Sequence, residues 1–516
     1  MKKILSVLLI IVILIGLFAC KNENDVTDPI DSIPTVEPID LSAVNPHNDV
    51  YYQIFVRSFA DSNGDGIGDI NGITENLDYL EELGITALWL LPINPSPSYH
   101  GYNVTDYYDI HPDYGTLEDF ENLIEQSGQR GIKIVIDLVI NHTSDQHPWF
   151  VSAATGSSSP YRDYYIWNNG YAFESFVGGM KDLNFHHEAV KDEMKSIMDF
   201  YLEMGVHGFR LDAAKHLIES INPTWDNTLL ILEFNMHIKE NYPDSFIVSE
   251  VFEYVYDFYA DYFIGSDSVF NFYLAQQVWD KIGSLNNSRL LVSNLNRAYN
   301  TFREVDPDFV DSPFIGNHDL DRVASMQSFM GFDAQQRLSL AARFLLTVPG
   351  SPFIYYGDEL GMKGYRYEGT NIPGYGVVYD EYRRQPFIWG EAEYQTSWLP
   401  SDGSNDATLS LEEQKEDESS LFNVYKEMIQ IRRENPALMY GNTFMPYKGN
   451  QGNLQGFVRY YQYEDIEQAV LVIHNVGSNA MVIDVAYESI LYGSLNLQAY
   501  GTLILEINPD EIEAYT

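Results

Sequence analysis

Four short stretches carry ionisable residues beside apolar runs: DLVINH ending at His142, GFRLDAAKH ending at His216, IVSE ending at Glu250 and FIGNHD ending at Asp319. A close pair of carboxyl groups does a particular kind of chemistry. One attacks or stabilises an anomeric carbon while the other, protonated, delivers its proton to the leaving oxygen, and in retaining enzymes the two stand about 5 to 5.5 Å apart. Asp212 and Glu250 end consecutive strand-like runs. Neighbouring strands lie about 4.8 Å apart, so two inward-facing acids from them meet near the retaining separation.

Arg210 shares a strand face with Asp212 and is expected to lower its pKa and keep it ionised. Glu250 is expected to stay protonated through desolvation and nearby negative charge. Asp319, preceded by His318, supplies a third acid suited to holding sugar hydroxyls and distorting the ring. Each acid alone has an ordinary reading, since strand-end carboxylates cap helices or pair with arginine. Their joint arrangement points to catalysis.

Bringing such distant residues together needs a particular frame. From Val50 onward, short apolar runs alternate with amphipathic segments, the pattern of a β/α repeat. Eight strands are predicted: Val50 to Phe59, Thr86 to Ile93, Lys133 to Ile140, Gly208 to Asp212, Phe246 to Glu250, Val269 to Phe272, Phe314 to Asn317 and Pro352 to Tyr356. Stretches such as Leu117 to Gln129 and Glu188 to Met204 are long enough for helical crossovers. An open doubly wound sheet would gather its ligand at one switch point. Here the candidate residues follow at least five strands, which favours a closed (β/α)8 TIM barrel whose strand ends converge on one mouth.

Residues 143 to 180 form an excursion after the third strand, rich in Trp149, Phe150, Tyr161, Tyr164, Tyr165, Trp167, Tyr171 and Phe173. A small inserted subdomain is expected, with most of these rings in its own core and one or two reaching a ligand. The turn-rich segment Met362 to Ser420 is expected to help wall the mouth. After a helix at Leu421 to Glu434, β-like runs at Gly456 to Tyr463, Ala469 to His474 and Leu495 to Ile507 predict a terminal antiparallel β-sandwich domain. The expected division is a barrel over 49–142 and 181–438, an insert over 143–180 and a β domain over 439–516.

In their order along the chain, the four stretches resemble the four signature regions of glycoside hydrolase family 13, the α-amylase family, and the resemblance runs from Asp49 to the C-terminus. It implies that Asp212 is the nucleophile, Glu250 the general acid/base and Asp319 the transition-state stabiliser. It also implies that His142, Arg210 and His318 line the subsite of the attacked sugar, that Tyr102 of His100-Gly101-Tyr102 stacks on that sugar, and that Asp137 is a buried partner of Arg210. Lys215-His216 resembles the α-amylases, whose equivalent residues contact the sugar on the leaving side. Met180-Lys181-Asp182-Leu183-Asn184 resembles a fifth region in a form intermediate between α-amylases and oligo-1,6-glucosidases, with Lys181 where that form usually has proline.

The segment Asp61-Ser62-Asn63-Gly64-Asp65-Gly66-Ile67-Gly68-Asp69 presents oxygen donors at alternate positions, which suits calcium. It matches only the first half of an EF-hand, because position twelve is Gly72. It is similar to a loop calcium site of the family, implying Ca2+ held by Asp61, Asn63, Asp65 and Asp69 side chains and the Ile67 carbonyl. A metal-free loop of Asx turns is the alternative. A second family calcium site uses an asparagine equivalent to Asn141.

Lys2 and Lys3 precede an apolar stretch from Ile4 to Ala19 and then Cys20, the only cysteine. The stretch is short for a membrane span of about 20 residues and fits a signal peptide. Leu17-Phe18-Ala19-Cys20 resembles a bacterial lipobox, implying a lipoprotein signal over 1–20, an exported chain held at a membrane only by lipid on Cys20, and a tether over 21–48. A lone cysteine excludes an intrachain disulfide. Net charge of −45 over 516 residues makes nucleic acid a poor partner.

The expected activity is retaining endo-hydrolysis of α-1,4-glucosidic bonds in starch and maltodextrins by a monomer. The alternatives are an α-1,6-acting glucosidase, a 4-α-glucanotransferase, or a glucan-binding lipoprotein without catalysis.

Overall fold

The computed structural model describes residues 45–367, 369–390 and 393–516. The expected signal peptide, Cys20 and most of the tether lie outside them. The tether's last residues, 45–48, are held against the folded body. Asn45 donates to the Tyr461 hydroxyl at 2.8 Å, and Lys133 Nζ donates to the Pro46 carbonyl at 2.6 Å.

Eight parallel strands form one sheet: β1 (Tyr51–Ile54), β2 (Ala87–Leu90), β3 (Lys133–Leu138), β4 (Gly208–Leu211), β5 (Phe246–Ser249), β6 (Ser268–Phe270), β7 (Val310–Ser312) and β8 (Phe353–Tyr355). Their lateral order runs β7-β6-β5-β4-β3-β2-β1-β8, and a parallel bridge between Phe314 and Phe353 joins the two ends. The sequence therefore wraps into the predicted barrel. Nearly every strand residue is buried, as expected where side chains fill the interior on one face and helices cover the other. Tyr51 stacks on Phe353 at 4.2 Å between ring centres, and Phe270 packs on Phe353 at 4.8 Å and on Trp89 at 5.1 Å.

The strands are shorter than their apolar runs. Val56–Phe59 leaves β1 as a helical turn, and a helix begins at Phe272 directly after β6. The seventh strand lies at Val310–Ser312, upstream of the predicted Phe314 to Asn317, which keeps only the closing bridge at Phe314. Helices Leu117–Gln129 and Glu188–Glu203 cross between strands as expected. The first is fixed at its start by a capping box between Thr116 and Asp119.

The insert leaves and returns through one antiparallel ladder, His142–Ser144 against Met180–Asp182. Inside it, Trp149 contacts Tyr161 and Tyr164, and Phe150 stacks with Trp167. The terminal domain is a five-stranded antiparallel sheet covered by a two-stranded ribbon, Met481–Val482 with Asn496–Leu497. Leu471, Ile473, Leu503 and Leu505 of the sheet pack with Ile483 and Leu497 beneath that ribbon. The predicted run Leu495 to Ile507 is therefore two strands separated by a turn.

Candidate active site

Register sets the centre of the barrel mouth. Asp137 on β3 pairs across from Arg210 on β4, and Leu211 pairs with Ser249 on β5. The ladder continues one step beyond the strands, with Asp212 N donating to Leu138 O at 3.3 Å and Glu250 N to Leu211 O at 3.0 Å. Two acids on neighbouring strands are thus fixed side by side. The chain then turns sharply at Ala213, whose φ of 50° is left-handed, a conformation that costs a non-glycine residue roughly 1–2 kcal/mol. That turn aims the Ala213 N–H at Glu250 Oε2, 3.4 Å away.

Arg210 organises this centre from below. Its Nη1 lies 2.7 and 2.9 Å from the two Asp137 oxygens and 2.8 Å from Asp212 Oδ1, while Nη2 lies 3.1 Å from Glu250 Oε2. One planar guanidinium therefore faces three buried carboxyl groups. A single positive charge cannot offset three negative ones in a desolvated site, so protonation of an acid relieves the excess. Burial, together with the charges of Asp212 and Asp319 and against the pull of Arg210, lifts Glu250 to about 7. Burial also raises Asp212, outweighing Arg210, so the arginine limits the rise there but does not bring the carboxyl below its ordinary range.

A cavity of about 450 Å³ opens over these acids. Asp212, Glu250, Asp319, Tyr102, His142, Lys215 and His216 all line it, which gathers seven of the nine predicted catalytic and substrate residues. Arg210 and His318 do not. Both are fully buried and act from behind the wall. His318 contacts the Tyr102 hydroxyl at 2.6 Å, Asp319 Oδ2 at 3.1 Å and Gln53 at 2.7 Å. Burial, and then the nearby arginines, push its pKa well down, so it serves as a neutral hydrogen-bonding prop. The Tyr102 hydroxyl also donates to Asp137 at 3.0 Å, which ties the ring's position to the Arg210 centre. Burial brings His142 to about 4, leaving a neutral imidazole at the wall with its Nε2 3.1 Å from the Tyr102 carbonyl.

Several lining residues were not singled out by the sequence. Arg384 bridges Asp319 at 3.2 Å and Asp380 at 3.1 Å. Burial would raise Asp380, yet Arg384 and its neighbours hold it down at about 2. Adjacent arginines at 383 and 384 in so acidic a chain were a usable signal. None of the eight insert aromatics lines the cavity, and Tyr171 is largely exposed; the insert's ring at the mouth is Phe176. Phe176 packs on His216 at 5.4 Å and on His142 at 5.7 Å. Phe252 also lines the cavity, and its carbonyl accepts from Lys215 Nζ at 2.6 Å. It lies two residues beyond Glu250, past the end of β5, where no strand periodicity marks it in the sequence.

Within the fifth region, Met180 lines the mouth. Lys181 turns into the insert, paired with Glu174 and 5.4 Å over the Phe150 ring.

The loop of the expected calcium site follows β1. Asp61 Oδ1 accepts from the N–H groups of Asn63 and Gly64, Asn63 Oδ1 from Asp65, and Asp65 Oδ1 from Ile67. Asp69 accepts from Ser62 N at 3.1 Å and caps the helix Ile70–Glu75 through Gly72 N. Successive Asx turns thus curl the segment, and its donors are all hard oxygens. Among the described residues, no three carboxylate or imidazole groups converge into a ready cage. Asn141 is buried with its Oδ1 unpartnered in the structure.

This frame and mouth define a barrel enzyme acting on glycosidic bonds, and comparison with known proteins agrees. Residues 53–441 match the alpha amylase catalytic domain. "Alpha-amylase 3" of Dictyoglomus thermophilum is 41% identical over 83% of this chain and 85% of its own length. A "4-alpha-glucanotransferase" of Thermotoga neapolitana is 34% identical over 88% and 99%. The crystal structure of an alpha-amylase from H. orenii superposes with a TM-score of 0.78 at 35% identity, covering 90% of this chain and 99% of that one. The chain belongs to the α-amylase family of glycoside hydrolases. It is an enzyme whose family implies an α-glucan substrate, and the reading as a binding protein without catalysis is set aside.

Proposed function

We propose that the protein is a retaining endo-α-amylase that cleaves α-1,4-glucosidic bonds in starch and maltodextrins. The observation that carries the reading is Arg210 holding Asp212 and Glu250 on one guanidinium at the floor of the mouth.

In this reading Asp212 attacks the anomeric carbon through Oδ2, the oxygen that Arg210 Nη1 does not hold. Glu250 gives its proton to the glycosidic oxygen as the carbon–oxygen bond breaks, so a glycosyl ester forms on Asp212 and the leaving sugar departs with a new hydroxyl. Glu250, now ionised, takes a proton from water, which attacks the same carbon and releases Asp212. Two inversions give net retention. Asp319 and Tyr102 hold the attacked sugar, with His318 and Arg384 as their supports. Lys215 and His216 face the sugar on the leaving side. A time course of products from soluble starch, with anomeric configuration read by NMR, tests the reading: α-configured products with rapid viscosity loss support it, and β-configured products refute it.

A second reading, transfer to a sugar acceptor, is favoured by Phe176 and Phe252. Two aromatic faces beside Lys215 and His216 shield the intermediate from water and offer a sugar a stacking surface. The 34%-identical glucanotransferase is consistent with it. Alpha-1,6 cleavage rests on the intermediate form of the fifth region, with a 30%-identical oligo-1,6-glucosidase consistent with it; hydrolysis of isomaltose without thinning of starch would favour it.

We also propose calcium in the loop of Asp61, Asn63, Asp65, Ile67 and Asp69. Its oxygen-only donors support the proposal, and the ion would stiffen the loop between β1 and the helix Ile70–Glu75. A melting temperature that falls by several degrees on chelation and returns with calcium alone would support it; no change would refute it. The proposed lipid anchor predicts that Cys20→Ser releases the protein from membranes.

A further inference from the structure

A second groove, of about 640 Å³, lies between the helix Ala334–Leu345 and the C-terminal β domain. That helix follows β7, so its first residues lie on the side of the barrel where the strands end and the mouth opens. One wall carries Gln335, Gln336 and Arg343, and the other carries Tyr492, Asn496 and Gln498.

Bonds across the groove hold these walls in place. Arg343 Nε donates to the Tyr492 hydroxyl at 3.0 Å, and its guanidinium lies 5.9 Å from the centre of that ring. The Tyr500 hydroxyl donates to Asp333, just before the helix. The four amide side chains are exposed, and Tyr492, which shares the lining with them, is half-buried. An amide presents donors and an acceptor together, as vicinal hydroxyls require, and a fixed aromatic ring offers a face to the C–H side of a pyranose. Charge narrows the ligand. The lining holds Glu418 and Glu427 as well as Arg343, and the chain as a whole carries −45, which disfavours phosphorylated or other anionic ligands.

We propose that this groove is a second, non-catalytic binding site for a neutral α-glucan chain, with Tyr492 as its platform and Gln336, Asn496 and Gln498 as its hydroxyl partners. The inference rests on the family's α-glucan substrate. A polymer held there raises its own local concentration at the mouth, an advantage that a trisaccharide too short to reach both places does not receive.

The test uses the full chain. Glu250→Gln stops turnover, and its retardation by amylose in native gels is compared with and without Tyr492→Ala, and separately with Gln336→Ala/Gln498→Ala, whose exposed side chains are dispensable for folding. In that inactive background amylose retardation should weaken by about fivefold in both groove variants, and with Glu250 restored both should cleave maltotriose within about twofold of the parent. Unchanged retardation in both folded groove variants would overturn the groove. A parent that neither cleaves maltotriose nor is retarded by amylose would instead overturn the α-glucan reading on which it rests.

Discussion

The two halves of the mouth are built from opposite materials. On one side, Asp319, Arg384 and Asp380 form a chain of ion pairs backed by Tyr102 and His318. On the other, Phe176 packs on His216 and the Phe252 carbonyl accepts from Lys215, a ring contact and one hydrogen bond in place of ion pairs. Rigid charge networks impose one geometry, and ring faces tolerate several. In the proposed reading, the contrast gives precise recognition to the attacked sugar and tolerance to whatever leaves or arrives on the far side.

The largest expected effect falls on the seam between the halves. Glu250→Gln or Asp212→Asn should lower kcat by about 10³-fold or more, read on a maltooligosaccharide with an unactivated leaving group. A loss smaller than tenfold for either would break the assignment of the seam, whatever the halves do.

Arg384→Met comes next. It leaves Asp319 without its 3.2 Å partner and should cost roughly 10²-fold in kcat/KM by letting the sugar-holding acid swing. An equal cost from Phe252→Ala would erase the distinction between the halves.

A pH profile sharpens the seam itself. Glu250 stands at about 7, above the ordinary glutamate range, and in the proposed reaction carries its proton into the first step. Activity should therefore fall as pH rises through that value, while the acid limb follows Asp212, which must lose its proton. Gln at position 250 should remove the alkaline limb from whatever activity remains.

The smallest effect is expected on the tolerant side. Phe252→Ala should leave starch hydrolysis within about threefold and lower the ratio of transfer to hydrolysis by a similar factor, measured with maltotriose and a labelled acceptor. An unchanged ratio would show that the ring does not govern acceptor entry.

The seam and the barrel were legible in the sequence for a common reason. Strands buried on both faces read as apolar runs, and acids closing those runs mark the mouth. Leu117–Gln129 and Leu421–Glu434 coincide with their predicted spans because helix periodicity and caps are local. β7 was displaced because Phe314 to Asn317 is apolar for another purpose, carrying the barrel's closing bridge and leading into His318. The wall residues were harder. Phe176 is one ring in an aromatic-rich insert, and whether it faces the cavity or its neighbours depends on tertiary packing that no local pattern encodes. Arg210 and His318 were recognised by type but placed at the surface of the site, because sequence reports which groups gather and not their depth.

The ladder of His142–Ser144 and Met180–Asp182 separates the insert from the barrel mechanically as well as in sequence. Its two ends leave the scaffold side by side, so an excursion of another length or composition can be spliced between them without moving the strands that carry the acids. Phe176, the insert's share of the tolerant wall, is therefore an exchangeable part, while Phe252 stays with the barrel strand that carries Glu250.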